Sequence, residues 1–377
     1  MRAKCRREDL RRALHGTLPG AAVRPETTIL NHVHVEARAK ALVFTTYNRE
    51  WWMRKSIEAR VDEAGVLVAP ARLMTDIVDA LASADLRLDT QPDSNELTVS
   101  GDDGEIGIRC GFVDMYPHFP QLKADFTATV PAAPLVRAVQ QTAVAAARTL
   151  DQSALAGVHL RFENDRLVMA ASDGSRLAEH QLRVALANDG LVELTLPAAA
   201  LRELHQLLIG ESASVRIEVA ATGNLASFAA GNSLLVASIW EGSYPDYAVL
   251  IPVDGVSRTR VLREDLLARL RAALLLAPSE GSPLSLRLVG AGRLVLSTEG
   301  SERGNGRLEL AATNESPEAQ VLVDGAALRA GLEAMDTVSV DLFVGADRHL
   351  VVRSVPGDDH LYLVVHKQRP PSIDFQV

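Results

Sequence analysis

Apolar and polar positions alternate from Leu155 to Phe162, as in a half-buried strand. A turn at Asn164-Asp165 separates this run from a second one, Leu167-Val168-Met169-Ala170-Ala171. The second run enters Ser172-Asp173-Gly174-Ser175-Arg176-Leu177, where glycine can take a positive φ in a tight turn without steric cost. Arg176 and Leu177 are left at the rim of a sheet. On these residues alone the segment is an ordinary hairpin corner.

The rest of the chain gives it context, because one pattern is written three times: a strand, a Pro or Gly break, an Ala-rich amphipathic helix, a short turn and an alternating strand. The first copy runs Val66-Leu67-Val68-Ala69-Pro70-Ala71-Arg72-Leu73 and on to Leu81, with Leu86-Arg87-Leu88 after it. The second runs Leu194-Thr195-Leu196-Pro197-Ala198-Ala199-Ala200-Leu201 to Leu208, with Val215–Val219 after it. The third runs Val321-Leu322-Val323-Asp324-Gly325-Ala326-Ala327-Leu328 to Met335, with Val338–Leu342 after it. Leu73, Leu201 and Leu328 follow at intervals of 128 and 127 residues. A second set of helices keeps nearly this period. Arg7-Glu8-Asp9-Leu10 opens one and Arg263-Glu264-Asp265-Leu266 another, with acidic residues suited to a helix N-terminus. Ala133-Pro134-Leu135-Val136-Arg137 opens a third, expected to run to about Arg148. The pattern predicts an α+β protein of three tandem domains, each with two helices and about eight strands. They cover 1–126, 127–254 and 255–377, and the first two end after similar turns, Tyr116-Pro117-His118-Phe119-Pro120 and Tyr244-Pro245-Asp246-Tyr247. The Gly- and Ser-rich stretch 300–306 reads as a surface loop.

At 377 residues the chain exceeds one core and suits two or three domains. A hydrophobic share of 47% with 23% charged residues describes a globular protein, and at 4% aromatics the cores must be built from Leu, Val, Ala and Ile. No apolar run is long enough to cross a bilayer, and the charged start Met1–Glu8 is not a secretory signal, so no membrane partner and a cytoplasmic location are expected. Two cysteines, Cys5 and Cys110, make neither a disulfide framework nor a metal site. The net charge of −9 argues against a surface basic all over but leaves room for a basic face.

The triplication, together with Arg24-Pro25 and Ile29-Leu30, the strand Leu155-x-Gly157, the Ser172–Leu177 string, and Tyr244-Pro245-Asp246-Tyr247 with Ile251-Pro252, resembles the bacterial β sliding clamp family over the whole chain. The resemblance implies two chains joined head to tail in a six-domain ring, helices inside and sheets outside. Such a ring encircles double-stranded DNA without sequence specificity and tethers DNA polymerase, repair proteins and clamp-loader subunits through short linear motifs. It catalyses nothing and uses no cofactor. Arg24, Arg72, Arg137, Arg148, Arg202 and Arg269, with Gln152, would face DNA; arginines at such positions attract phosphates without reading bases. Arg137 and Arg148, three helical turns apart, would share a face. The partner-peptide groove would be walled by Leu155, Ser172, Gly174, Ser175, Arg176, Leu177, Pro245 and Leu250, with Leu350, His366 and Arg369 from the last domain. Its leucines offer about 1.5–3 kcal/mol per fully buried anchor; core packing is the other role open to Leu155 and Leu177. The edge strand Glu105–Arg109, through Ile106 and Ile108, would meet Leu275 and Leu276 of a second chain.

Three features depart from the family pattern. Ala198-Ala199 stand where a basic residue is common, and Asp151-Gln152-Ser153-Ala154 lacks the usual aromatics. The chain closes on His366-Lys367-Gln368-Arg369-Pro370, where the family has Met-Pro-Met-Arg-Leu, and adds residues 371–377. That tail either frays or folds back on the groove through Ile373 and Phe375. A rival reading is a clamp-like peptide-binding scaffold that no longer encircles DNA. An enzyme reading finds no nucleophile elbow, phosphate loop or metal cluster; His32 and His34 share a strand face without a third ligand.

Overall fold

The computed structural model describes residues 1–23, 28–90, 95–148, 153–187, 190–208, 214–220, 223–251, 255–276, 283–289, 292–301, 303–314, 318–345, 349–356 and 360–365. The elements fall into three runs of one order. The first comprises β1 (Arg2–Arg6), α1 (Arg7–Thr17), β2 (His32–Arg38), β3 (Ala41–Tyr47), β4 (Trp51–Glu58), the short β5 (Arg60–Glu63), β6 (Gly65–Pro70), α2 (Ala71–Ala80), β7 (Asp85–Thr90), β8 (Glu96–Gly101) and β9 (Gly104–Arg109). The second comprises β10 (Phe126–Pro131), α3 (Ala132–Ala143), β11 (Gly157–Glu163), β12 (Arg166–Ser172), β13 (Arg176–Arg183), the short β14 (Ala185–Leu186), β15 (Val192–Pro197), α4 (Ala198–Leu208), β16 (Ser214–Ala220), β17 (Leu225–Ala230) and β18 (Ser233–Ser238). The third comprises β19 (Gly255–Leu262), α5 (Arg263–Leu274), β20 (Pro283–Val289), β21 (Arg293–Ser301), β22 (Gly304–Ala311), the short β23 (Thr313–Asn314), β24 (Ala319–Asp324), α6 (Gly325–Ala334), β25 (Ser339–Gly345), β26 (Leu350–Val355) and β27 (His360–Val364). Leaving out β5, β14 and β23, each run is an eight-strand, two-helix copy of the others.

The copies divide their strands alike: the first, sixth, seventh and eighth enter one sheet, and the second to fifth another. Neighbouring copies then share sheets. In one nine-stranded sheet, β4 of the first copy pairs antiparallel with β18 of the second. In the other, β13 of the second pairs antiparallel with β27 of the third. Both joins connect the fourth strand of one copy to the eighth strand of the next. The two smaller sheets end in strands that this rule leaves unmatched, β9 and β22.

By contacts the chain forms two units, each spanning one shared sheet. Unit 1 is Met1–Val136, Val184–Asp189 and Ala199–Ile239; unit 2 is Arg137–Arg183, Gly190–Ala198 and Trp240–Val377. In unit 1 a continuous core joins Leu10 and Leu14 of α1, Met74 and Val78 of α2, Val35, Leu42 and Phe44 of one sheet, and Leu86, Leu97 and Ile108 of the other.

Local chemistry fixes the helix starts. Asp324 caps α6, its Oδ1 accepting from the amides of Ala326 (2.9 Å) and Ala327 (3.1 Å). Glu8 and Asp9 in α1, and Glu264 and Asp265 in α5, occupy first turns. Three sequence expectations are corrected. Helix α3 ends at Ala143, short of Arg148, because Ala145 and Ala146 turn into the core and the Ala147 amide donates to the Leu155 carbonyl at 2.8 Å. Arg148 is therefore off the helix that carries Arg137. The strand expected from Leu155 begins at Gly157; Leu155 sits on a 3-10 turn, Ala154–Ala156. Within the stretch 300–306 the described residues carry the ends of β21 and β22, with Ser301 paired to Gly304.

Candidate functional site

Hairpin β11–β12 turns on Asn164 and Asp165, both at positive φ (50° and 57°), the geometry of a two-residue I′ loop. It delivers β12 to the Ser172–Arg176 turn, where Gly174 sits at φ 85°. A Cβ there would touch nothing, so glycine is needed for the backbone conformation alone. Asp173 holds the turn closed. Its Oδ1 accepts from the Ser175 amide (2.9 Å), the Ser175 hydroxyl (2.7 Å) and the Arg176 amide (3.1 Å), and its Oδ2 accepts from Arg176 Nε at 2.9 Å. Replacing Asp173 with alanine removes all four and is expected to cost about 1–2 kcal/mol in urea unfolding, with Asp173→Asn recovering part.

The segment after β18 is tied to this turn. The Ser172 amide donates to the Tyr244 hydroxyl at 2.9 Å, and Tyr244 stacks on His159 with ring centroids 5.1 Å apart. Burial pushes the Tyr244 hydroxyl up to about 12, so it stays a neutral phenol. Tyr247 is likewise raised, by burial and then by Glu179. At the other side the Val365 amide donates to the Ser175 carbonyl at 2.9 Å.

Beneath lies an apolar floor: Leu177, Val351, Leu361 and Leu363, with Tyr247, Ile251, Phe343 and Val365 packed on it. Strand register makes it one row. Ser172 stands opposite Leu177, Leu177 opposite Leu363, Leu363 opposite Val351, Val351 opposite Phe343 and Phe343 opposite Arg258. All six side chains share a sheet face.

Of the predicted groove residues, the structure brings Ser172, Gly174, Ser175 and Arg176 together in one turn, with Leu155 half-buried on its 3-10 turn and Pro245 and Leu250 exposed on the connecting segment. Leu177 is wholly buried as part of the floor, so it is not an exposed wall. Leu350 stands opposite Val364, as does Arg176, so it shares the sheet face of Arg176, while its neighbour Val351 shares that of Leu177. His366, Arg369 and the tail 371–377 lie outside the described residues. Sequence reading missed Val351, Phe343, Leu361 and Leu363, whose shared parity with Leu177 follows only once the strand pairing is known.

At the free edges Ile106 is 37% exposed and Leu275 75%, so both can meet a second surface. Ile108 is corrected: it is buried in its own core and offers no contact surface. Leu276 is turned toward its own β22, its Cδ1 filling the space above Gly306.

The described arginines expected to face DNA are exposed or partly exposed, and two of them are answered by carboxylates. Arg137 pairs with Asp336 and Arg269 with Asp265, both at 2.9 Å. Other helix arginines behave alike: Arg11 with Asp79, Arg12 with Asp9, Arg271 with Glu333. Arg72 and Arg148 are exposed and form no ion pair among the described residues; Arg202 is exposed on α4. Arg24 and Gln152 lie outside the described residues. Among the described residues no three or more His, Cys, Asp or Glu side chains gather as a metal site, and no helix is long and apolar enough to cross a membrane.

Comparison with known proteins agrees with this architecture. The family model of the DNA polymerase III beta subunit N-terminal domain matches residues 1–120, and that of its central domain matches 129–246. The chain is 27% identical over 361 residues to the beta sliding clamp of Synechocystis sp., covering 91% of this chain and 92% of that protein. It is 26% identical over 371 residues to the beta sliding clamp of Synechococcus elongatus, covering 97% and 98%. Among solved structures, the sliding clamp of Bacillus subtilis superposes with a TM-score of 0.90 at 21% identity, over 98% of this chain and all of that one. The griselimycin-bound clamp of Pseudomonas aeruginosa gives 0.91 at 19%, over the same shares. With the two matched domains spanning more than half of its length and three copies of one fold, the chain belongs to the DNA polymerase III beta subunit family, the bacterial beta sliding clamps.

Proposed function

We propose that two copies of this chain close head to tail into a ring of six domains, 1–126, 127–254 and 255–377 from each. The ring encircles duplex DNA in the cytoplasm, slides without reading sequence and acts as a non-catalytic processivity factor for DNA polymerase. The observation that carries this reading is the joining rule. Fourth strand meets eighth strand at both joins within the chain, so the unmatched β22 of one chain and β9 of another are the complementary pair for the same antiparallel join. Ile106 and Leu275 supply exposed apolar area at those ends. Partners, clamp-loader subunits among them, would dock by short peptides over the Leu177–Leu363–Val351 floor, displacing or sliding beside Tyr247 and Ile251.

Native mass measurement should give twice the chain mass, and the dimer should be retained on closed circular duplex while running off linear duplex. A stable monomer, or equal retention on both, overturns encirclement. A second reading, a peptide-binding scaffold that no longer circles DNA, is favoured by the ion pairs that neutralise Arg11, Arg12, Arg137, Arg269 and Arg271. For a true clamp those same pairs predict few direct phosphate contacts. Retention on circular DNA should then fall with added salt less steeply than for a protein making six to ten contacts, which loses roughly 10³–10⁵ in affinity between 50 and 200 mM.

A further inference from the structure

The apolar row does not stop at hydrophobic residues. Its last apolar member, Phe343, lies between two guanidinium groups: Arg258 at 5.5 Å from the ring centroid and Arg353 at 5.9 Å. Arg260, two residues from Arg258 on β19, shares the same face. Asp341 lies between Arg258 and Arg260 and is almost wholly buried. It accepts from Arg258 Nε (3.2 Å) and Nη2 (2.7 Å) and from Arg260 Nε (2.7 Å) and Nη2 (2.9 Å). Arg353 stands directly across from Asp341 on β26, yet forms no ion pair among the described residues. In the adjacent row on the same face, Glu179, opposite Leu361, is engaged by Gln181 Nε2 at 2.9 Å and by Tyr247. The face is therefore acidic beside β13, apolar in the middle and basic beside β19.

We propose that the partner segment held over the Leu177–Leu363–Val351 floor is an extended peptide carrying acidic side chains beyond its apolar anchor, and that Arg353, with Arg258 and Arg260, receives them. This rests on the groove reading above and adds the chemistry and spacing of what the groove takes. Leu363 lies three strands from Arg258 and Leu177 lies four, at about 4.8 Å per strand, or roughly 14–19 Å. An extended chain covers that in about four to six residues. The continuous apolar row leading to a ring clamped by guanidiniums suits a peptide side chain followed by a carboxylate better than a nucleic-acid backbone.

The test uses the full chain and two synthetic dodecapeptides with one Leu/Phe anchor. One carries aspartate at the fourth to sixth positions beyond the anchor, the other asparagine. Fluorescence anisotropy should show the aspartate peptide binding roughly tenfold tighter at low salt, as three weak rim ion pairs would give, with the difference shrinking as salt rises. Arg353→Glu should erase that difference while leaving the asparagine peptide's affinity unchanged. Equal binding of both peptides to the parent protein, or a difference that survives Arg353→Glu, overturns the acidic extension alone. Failure of both peptides to bind overturns the groove with it. If Arg353→Glu lowers retention on circular duplex and leaves peptide discrimination intact, the arginines serve phosphates and the proposal is wrong.

Discussion

Between pH 6.5 and 4.5 unit 2 is expected to lose about 2 kcal/mol of stability through a single imidazole, that of His360. His360 on β27 stands directly opposite His180 on β13, in the join between the second and third copies. Both are buried, and their rings lie 5.9 Å apart. His180 Nδ1 is 2.8 Å from Gln141 Oε1, and Gln141 Nε2 reaches toward Asp336, which in turn pairs with Arg137. Neither nitrogen of His360 forms a well-directed hydrogen bond among the described residues, the contact with the Gln141 backbone being weak. Burial first, and then the neighbouring His180, lower its pKa from 6.5 to about 3, against a smaller upward pull from the Gln141 backbone and Asp336. A folded-state pKa below the unfolded one means that the contribution is complete above pH 6.5 and drains away as pH falls toward 3. Urea unfolding of the parent and of His360→Leu at pH 7 and 4.5 measures it. The parent should lose about 2.5 kcal/mol more than the variant across that interval. At pH 7 the variant should be close to the parent, because removing two buried nitrogens that lack well-directed hydrogen bonds offsets the altered packing. Equal losses in both proteins would assign the acid sensitivity elsewhere.

Filling Gly331 should do greater damage. In α6 a Cβ at this position would collide with Cε1 and Cδ1 of the Tyr362 ring. That ring has no room to retreat: Tyr362 is wholly buried, and its hydroxyl donates at 2.8 Å to the carbonyl of Ala327, one turn earlier on the same helix. Gly331→Ala is expected to cost about 1–3 kcal/mol by overpacking, and Gly331→Leu about 4 kcal/mol or more, enough to unfold the third copy in mild denaturant. Tyr362→Leu alone should destabilise through a cavity, but combined with Gly331→Ala it should cost less than the sum of the two. Denaturant midpoints of the four proteins close that double-mutant cycle; strict additivity would mean that helix and ring do not meet as described.

The parts of the fold legible from sequence were those with a period. Strand, break and helix recurring around Leu73, Leu201 and Leu328 disclosed three copies, and the helices α2, α4 and α6 lie where that recurrence puts them. Illegible parts are those where every local choice looks alike. Ala143 to Ala147 could all continue a helix, and only the hydrogen bond from Ala147 to Leu155 and the burial of Ala145 and Ala146 stop it. Leu350-Val351-Val352 is apolar on both faces because β26 is interior, so no alternation tells which residue shares the face of Leu177. Ile106 and Ile108 share a face, yet only the latter reaches the core. Ion pairs divide in the same way. Arg269 with Asp265 is one helical turn and readable, whereas Arg137 with Asp336 joins residues far apart in the chain.

The repeat in the sequence and the mass that holds together in space are out of phase by half a copy. The second copy lends β10, β16, β17 and β18 to one shared sheet and β11, β12, β13 and β15 to the other, and the contact boundary cuts through it. A chimera that exchanges residues 127–254 wholesale with a relative therefore disturbs two backbone ladders together, and excising that stretch leaves β4 and β27 as bare interior edges prone to stick. Grafts cut along the contact boundary, transplanting β18 with β4 or β13 with β27, keep each ladder whole.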